Sequence, residues 1–123
     1  MKKNIFYILA HQDDEFGCFA KLDKDISNEN TFVFYLTNGE KKTVQKNKLS
    51  KRDKESLKTL KKLGMKEKNI FFIGRELRID HYTLYLNLKT VYKKILSKVK
   101  KIGKPNSIIT HSWEGGHEDH DAC

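Results

Sequence analysis

Four short apolar runs constrain the fold of this chain more than anything else in it. They are Ile5–Ala10, Thr31–Thr37, Asn69–Ile73 and Ser107–Thr110. Each is rich in β-branched or aromatic residues and nearly continuous, without clean polar alternation. That pattern suits strands buried on both faces, as in a parallel sheet covered by helices. Helical patterns lie between the runs. From Glu15 to about Lys24, Phe16, Phe19, Ala20 and Leu22 are expected on one packed side. From Ser50 to Leu63, Leu57, Leu60 and Leu63 recur at helical spacing; Ser50 can cap the start with Asp53 three residues on, and Gly64 sits where a left-handed residue ends a helix. From Leu84 to Ile102, Leu84, Leu88, Val91, Ile95, Val99 and Ile102 step by 4, 3, 4, 4 and 3, before Gly103 and the single proline, Pro105. The order β-α-β-α-β-α-β, joined by right-handed crossovers, predicts an α/β fold: a mostly parallel open sheet between two layers of helices.

Length and composition bound the alternatives. At 123 residues this is one domain at most. Hydrophobic residues make up 37%, too many and too regularly placed for a disordered chain. No apolar run approaches a membrane span. The start, Met1-Lys2-Lys3 followed by an apolar stretch, imitates a signal peptide, but the stretch is short and no small-residue cleavage site follows it. Cys18 and Cys123 make no disulfide framework, so a cytoplasmic protein is expected. The net charge is +9, yet 22 of the 25 basic residues are Lys. They spread over the polar faces of two expected helices and over a polar loop, Gly39–Leu49. Nucleic-acid readers lean on Arg for bidentate contacts, so the charge reads as a solvated surface and no nucleic-acid partner is expected.

The fourth run ends at Thr110, and a chemically dense segment leads from there to Cys123. A doubly wound domain normally continues with further strands. The expectation is therefore a single domain over 1–123, cut after its fourth strand. It should expose apolar surface near the first and fourth strands and self-associate through it.

In open α/β sheets ligands gather at the carboxyl ends of strands. Two constellations sit at such ends: Ala10-His11-Gln12-Asp13-Asp14-Glu15, after the first strand, and His117-Glu118-Asp119-His120, after the fourth. Crowded carboxylates repel one another unless protons or a cation offset the charge, and a divalent metal is the simplest resolution. Imidazole plus carboxylate without thiolate suits zinc with an open coordination position; the same donors also suit iron(II).

The first segment resembles the A/P-H-P-D-D-E signature of the LmbE/PIG-L de-N-acetylases. Gly116-His117-Glu118-Asp119-His120 resembles that family's second signature, G-H-x-D-H. Thr37-Asn38-Gly39 is similar to its T-x-G turn, and Arg52-x-x-Glu55 to its R-x-x-E helix. The resemblance implies a Rossmann-like fold and zinc-dependent hydrolysis of an N-acetyl group from an N-acetylglucosamine-type conjugate. Carried over by motif, the metal ligands are His11, Asp14 and His120. Asp13 is the general base for the attacking water. His117 and Asp119 lie close to the metal, His117 stabilising the oxyanion or protonating the amine. Arg52 contacts substrate. Gln12 replaces the usual Pro and leaves every ligand in place. Some members carry a Tyr just before the second signature; Gly115-Gly116 stand there in this chain, so a tyrosine has to come from elsewhere. The alternative reading is a catalytically incompetent metal-binding fragment of such an enzyme. His81, in the polar loop before the long helix, is expected at the surface. His111 ends the fourth strand within reach of the site, and Trp113 is either a lid over the cleft or ordinary packing.

Overall fold

The computed structural model describes residues 1–40 and 48–123; most of the loop expected over Gly39–Leu49 lies outside them. The elements follow the order β1 (Asn4–Leu9), α1 (Phe19–Asn28), β2 (Asn30–Tyr35), α2 (Lys51–Lys62), β3 (Ile70–Phe72), α3 (Ile73–Leu77), α4 (Leu88–Ile102), β4 (Ser107–Ile109) and α5 (Glu118–Ala122). The sheet order is β3-β2-β1-β4, and every pairing is parallel. The chain is α/β with a Rossmann-like arrangement. Strand order reverses at β1, so the switch-point crevice opens between the carboxyl ends of β1 and β4.

Alternation along β1 explains the layers. Ile5, Tyr7 and Leu9 enter a core with Val33 and Tyr35 of β2, Leu22 of α1 and Leu60 of α2. Phe6 points the other way, joining Phe34, Leu36, Ile73, Ile79, Leu84 and Val91 beneath α3 and α4. Both faces of the central strands are therefore buried, which is why the runs read as nearly continuous. The expected cap at Ser50 is a complete capping box: the Asp53 N–H donates to Ser50 Oγ, and the Ser50 N–H donates to Asp53 Oδ2. Gly64 takes a positive φ of 93°.

Two helices differ from the sequence pattern. The first segment opens as a 3-10 turn over Asp14–Cys18, and only then becomes α1. A turn with three residues per revolution shifts the phase of the apolar face. Phe16, Phe19 and Ala20, expected to pack, are exposed, whereas Leu22 is fully buried. The last long helix is likewise interrupted: Leu84–Leu86 is a 3-10 turn and α4 starts at Leu88. Leu84 stays in the core while Leu88 is exposed.

Gly74 opens α3 against the end of β2. A Cβ there would fall on the Thr37 backbone, with no flexible side chain to yield. Gly74→Ala is expected to cost about 1–3 kcal/mol by overpacking, read as a lower denaturation midpoint.

Leu88, Tyr92, Leu96 and Ile108 are exposed around an apolar groove of about 640 Å³ between α4 and β4. This is the surface expected near the first and fourth strands. Light scattering over a concentration series should show self-association that Leu96→Lys weakens; a wild-type chain that stays monomeric throughout would contradict the expectation.

Candidate metal centre and cleft

The turn after β1 is held in an unusual conformation. Asp13 has φ 103°, in the left-handed region that costs a non-glycine residue of order 1–3 kcal/mol. Its surroundings hold it there. The Asp13 N–H donates to Glu15 Oε2 at 2.9 Å. Glu15 is buried, and its carboxylate also accepts from Tyr35 Oη at 2.9 Å and Ser56 Oγ at 2.7 Å. Outside, Arg52 donates to Asp13 Oδ2 at 2.8 Å, to the Gln12 carbonyl at 2.7 Å and to the Gly39 carbonyl at 2.7 Å. Glu15 therefore faces inward as a support, and Arg52 clamps the loop that presents Asp13.

Gln12 is buried, and its amide nitrogen is bonded into the interior while its Oε1 has no partner among the described residues. Its side-chain amide donates to Asp53 Oδ1 at 2.6 Å and to the Thr37 carbonyl at 3.2 Å. Asp53 in turn pairs with buried Arg75, whose Nη1 donates to the Lys48 carbonyl at 2.8 Å. One carboxylate thus joins the β1 turn, the start of α2 and α3.

His11, Asp14 and His120 converge. Their ligand-type atoms lie within 4.8 Å of one another. His11 Nδ1 is 3.5 Å from Asp14 Oδ2, and His120 Nε2 is 3.3 Å from Asp14 Oδ1. Two donors about 2.0–2.1 Å from one tetrahedral ion lie roughly 3.3–3.4 Å apart, so this spacing fits a shared cation. The far nitrogens fit as well. His11 Nε2 is 2.9 Å from Asp119 Oδ2, and His120 Nδ1 is 3.1 Å from Glu114 Oε1. With the proton on each far nitrogen, assigned from these partners, a lone pair is left facing Asp14 on both rings. Carboxylates behind metal-binding histidines fix ring and tautomer in this way.

Asp119 is fully buried. Besides His11 it accepts from the Tyr82 N–H at 2.7 Å and the Leu84 N–H at 3.0 Å. It stands behind His11 and does not face the cleft. Burial would raise the Asp119 pKa, but these donors outweigh it and lower it. Burial likewise opposes the charged form of His11, while Asp119 and Asp14 push it up to about 9. Asp14 is held well below the usual carboxylate range: burial opposes this, and hydrogen bonds from His11 and His111 prevail.

All five histidines gather here. His111 Nε2 lies 3.0 Å from Asp14 Oδ2 and 3.2 Å from the Ala10 nitrogen; it can donate to the first or accept from the second, not both. Its ring stacks on His120 at 4.0 Å, and His120 stacks on His117 at 4.1 Å. His81, expected at the surface, stacks on His11 at 4.4 Å. Burial and the neighbouring His11 lower its pKa. No motif surrounds it in sequence; the loop after α3 carries it in. Tyr82, at a positive φ of 64°, stacks on His117 at 5.0 Å. That loop brings a tyrosine ring beside His117. His117 Nδ1 is buried without a hydrogen-bond partner among the described residues, as expected of a nitrogen that meets a ligand. Trp113 is 79% exposed.

Asp13, Asp14, His111, Glu114 and His120 line one open cleft of about 630 Å³ at the switch point. The arrangement provides an N/O donor set for a divalent metal, a carboxylate beside it, and room for a substrate.

No curated protein and no solved structure shows significant similarity to the chain. The family model described as PIG-L, GlcNAc-PI de-N-acetylase, matches residues 6–123. With both signatures meeting at one cleft, the chain belongs to the PIG-L de-N-acetylase family.

Proposed function

We propose that this chain carries a zinc-dependent N-deacetylase site for an N-acetylglucosamine-type amino-sugar conjugate. The observation that carries the reading is the convergence of His11, Asp14 and His120, with Asp119 and Glu114 on the far nitrogens. Family membership supports de-N-acetylation. The three residues would hold the metal, which when bound supplies Lewis acidity to the acetamide carbonyl and to the attacking water.

The remaining chemistry belongs to the protein. Asp13, presented by the Arg52 and Glu15 contacts, takes the proton of the attacking water as its oxygen bonds to the acetyl carbon. His117 stabilises the oxyanion, then protonates the nitrogen as the C–N bond breaks, leaving acetate and a free amine. Asp119 acts through His11 as a positioning residue. Tyr82 packs on the imidazole ring of His117 and limits its motion.

The exposed apolar face along α4 and β4 favours a second reading, metal binding without turnover. Zinc content and acetate release, measured on one sample, separate them. The first reading expects one zinc per chain and metal-dependent acetate release; zinc without release supports the second, and no zinc at all would refute both.

A further inference from the structure

Gln12 stands between His11 of the candidate metal set and Asp13, the candidate base, yet the chemistry above makes no use of it. It is 1% exposed, in a place where packing alone would be met by an apolar side chain. An amide carries a cost there, because a buried acceptor without a partner loses its hydration, and Oε1 has none among the described residues. The other half of the amide is spent on two anchors. Nε2 donates to Asp53 Oδ1 at 2.6 Å and to the Thr37 carbonyl at 3.2 Å. Thr37 in turn donates to the Ala10 carbonyl, from its N–H at 3.0 Å and from Oγ1 at 2.9 Å. One residue just beyond β2 therefore holds the chain on both sides of His11.

The backbone of Gln12 is gripped from the other side. Arg52 Nη2 donates to the Gln12 carbonyl at 2.7 Å and to Asp13 Oδ2 at 2.8 Å. One guanidinium nitrogen meets both only while the Gln12–Asp13 peptide keeps its orientation, and that peptide leads into the left-handed Asp13, φ 103°. Resting on the deacetylase reading, we infer that Gln12 is a positioning residue for the base. Its amide, fixed to Asp53 and Thr37, sets the peptide from which Asp13 turns toward the cleft. Asp53 is fully buried and paired with Arg75, so this anchor lies in the interior, while the Arg52 grip lies at the surface.

Gln12→Met keeps length and burial but cannot donate. On the zinc-loaded chain acting on N-acetylglucosamine, its kcat for acetate release should fall about 10²-fold, the scale of a misplacement near 1 Å, with KM and zinc content unchanged. Gln12→Asn, too short to reach both acceptors, should fall between it and wild type. In an Asp13→Asn background Gln12→Met should cost nothing further, because it acts through that carboxylate. Val91→Ala, in the core on the opposite face of the sheet, should lower stability and leave kcat alone. Amide exchange on the metal-free chain gives a readout independent of turnover. In Gln12→Met the Asp13 N–H, bonded to Glu15 Oε2, should exchange about tenfold faster beyond any change in the β1 and β2 strand amides; in Val91→Ala it should change only in step with them. An unchanged kcat in Gln12→Met, a full additive loss in the Asp13→Asn background, or an Asp13 amide that quickens only with the strands would overturn the inference. Local loosening at Asp13 in a chain whose wild type releases no acetate would uphold the anchor and refute the deacetylase reading. Acetate release indifferent to Gln12→Met would do the reverse.

Discussion

Asp13→Asn is expected to lower the rate of acetate release by about 10²–10⁴-fold, or about 3–5 kcal/mol of barrier, with zinc content unchanged. Asparagine keeps the shape and can still meet Arg52, but it cannot take a proton from water. Its backbone position should survive, because the Glu15 contact is to the Asp13 N–H and not to its side chain. Asp14→Asn should behave differently. Asp14 stands between His11 Nδ1 and His120 Nε2, so replacing its carboxylate with a poorer neutral donor should weaken zinc binding first and turnover as a consequence. Zinc analysis and initial rates on both variants separate the two roles. If Asp13→Asn strips the metal while Asp14→Asn keeps it, the neighbouring carboxylates have been given each other's tasks.

The second large effect concerns stability. Asp53→Ala should cost about 3–5 kcal/mol, the usual result of removing one partner of a buried pair. Arg75 would be left charged and buried, with the Gln12 amide and the Ser50 N–H losing an acceptor as well. Denaturant unfolding reads the loss. Asp53→Ala should also impair catalysis in the fraction that remains folded, since Gln12 is next to Asp13 and Arg52 is next to Asp53. A double replacement of Asp53 and Arg75 by apolar residues of similar volume should recover much of the stability. A single Asp53→Ala variant within about 1 kcal/mol of wild type would show that this junction is not what anchors α2.

How much of this was legible in the sequence depends on the kind of interaction. The strands were, because burial on both faces writes continuous apolar runs, as in Phe32–Leu36. The cap at Ser50 was, because its partner Asp53 is local. The convergence of His11, Asp14 and His120 was, because His11 and Asp14 share one turn and His117 and His120 another, and the resemblance joined the two turns. The phase of the first helix was not: a 3-10 turn over Asp14–Cys18 leaves no mark on composition, and it rotates Phe16 and Phe19 out of the core. Nor was the arrival of His81 and Tyr82, which depends on a long-range hydrogen bond from the Tyr82 N–H to Asp119. Gln12 looked like a tolerated replacement for Pro; only the fold shows its amide bridging to Asp53. Likewise Asp53 read as half of a capping box, with nothing local to announce Arg75.

His11, Asp14 and His120 are proposed to hold one zinc ion for de-N-acetylation. X-ray absorption at the zinc edge, on the chain loaded with one equivalent, tests it most directly. Nitrogen and oxygen neighbours at about 2.0–2.2 Å are expected, with the multiple-scattering signature of two imidazoles, and loss of that spectrum in His120→Ala but not in His81→Ala. A sulfur neighbour near 2.3 Å, or a spectrum that survives His120→Ala and vanishes in His81→Ala, would contradict it.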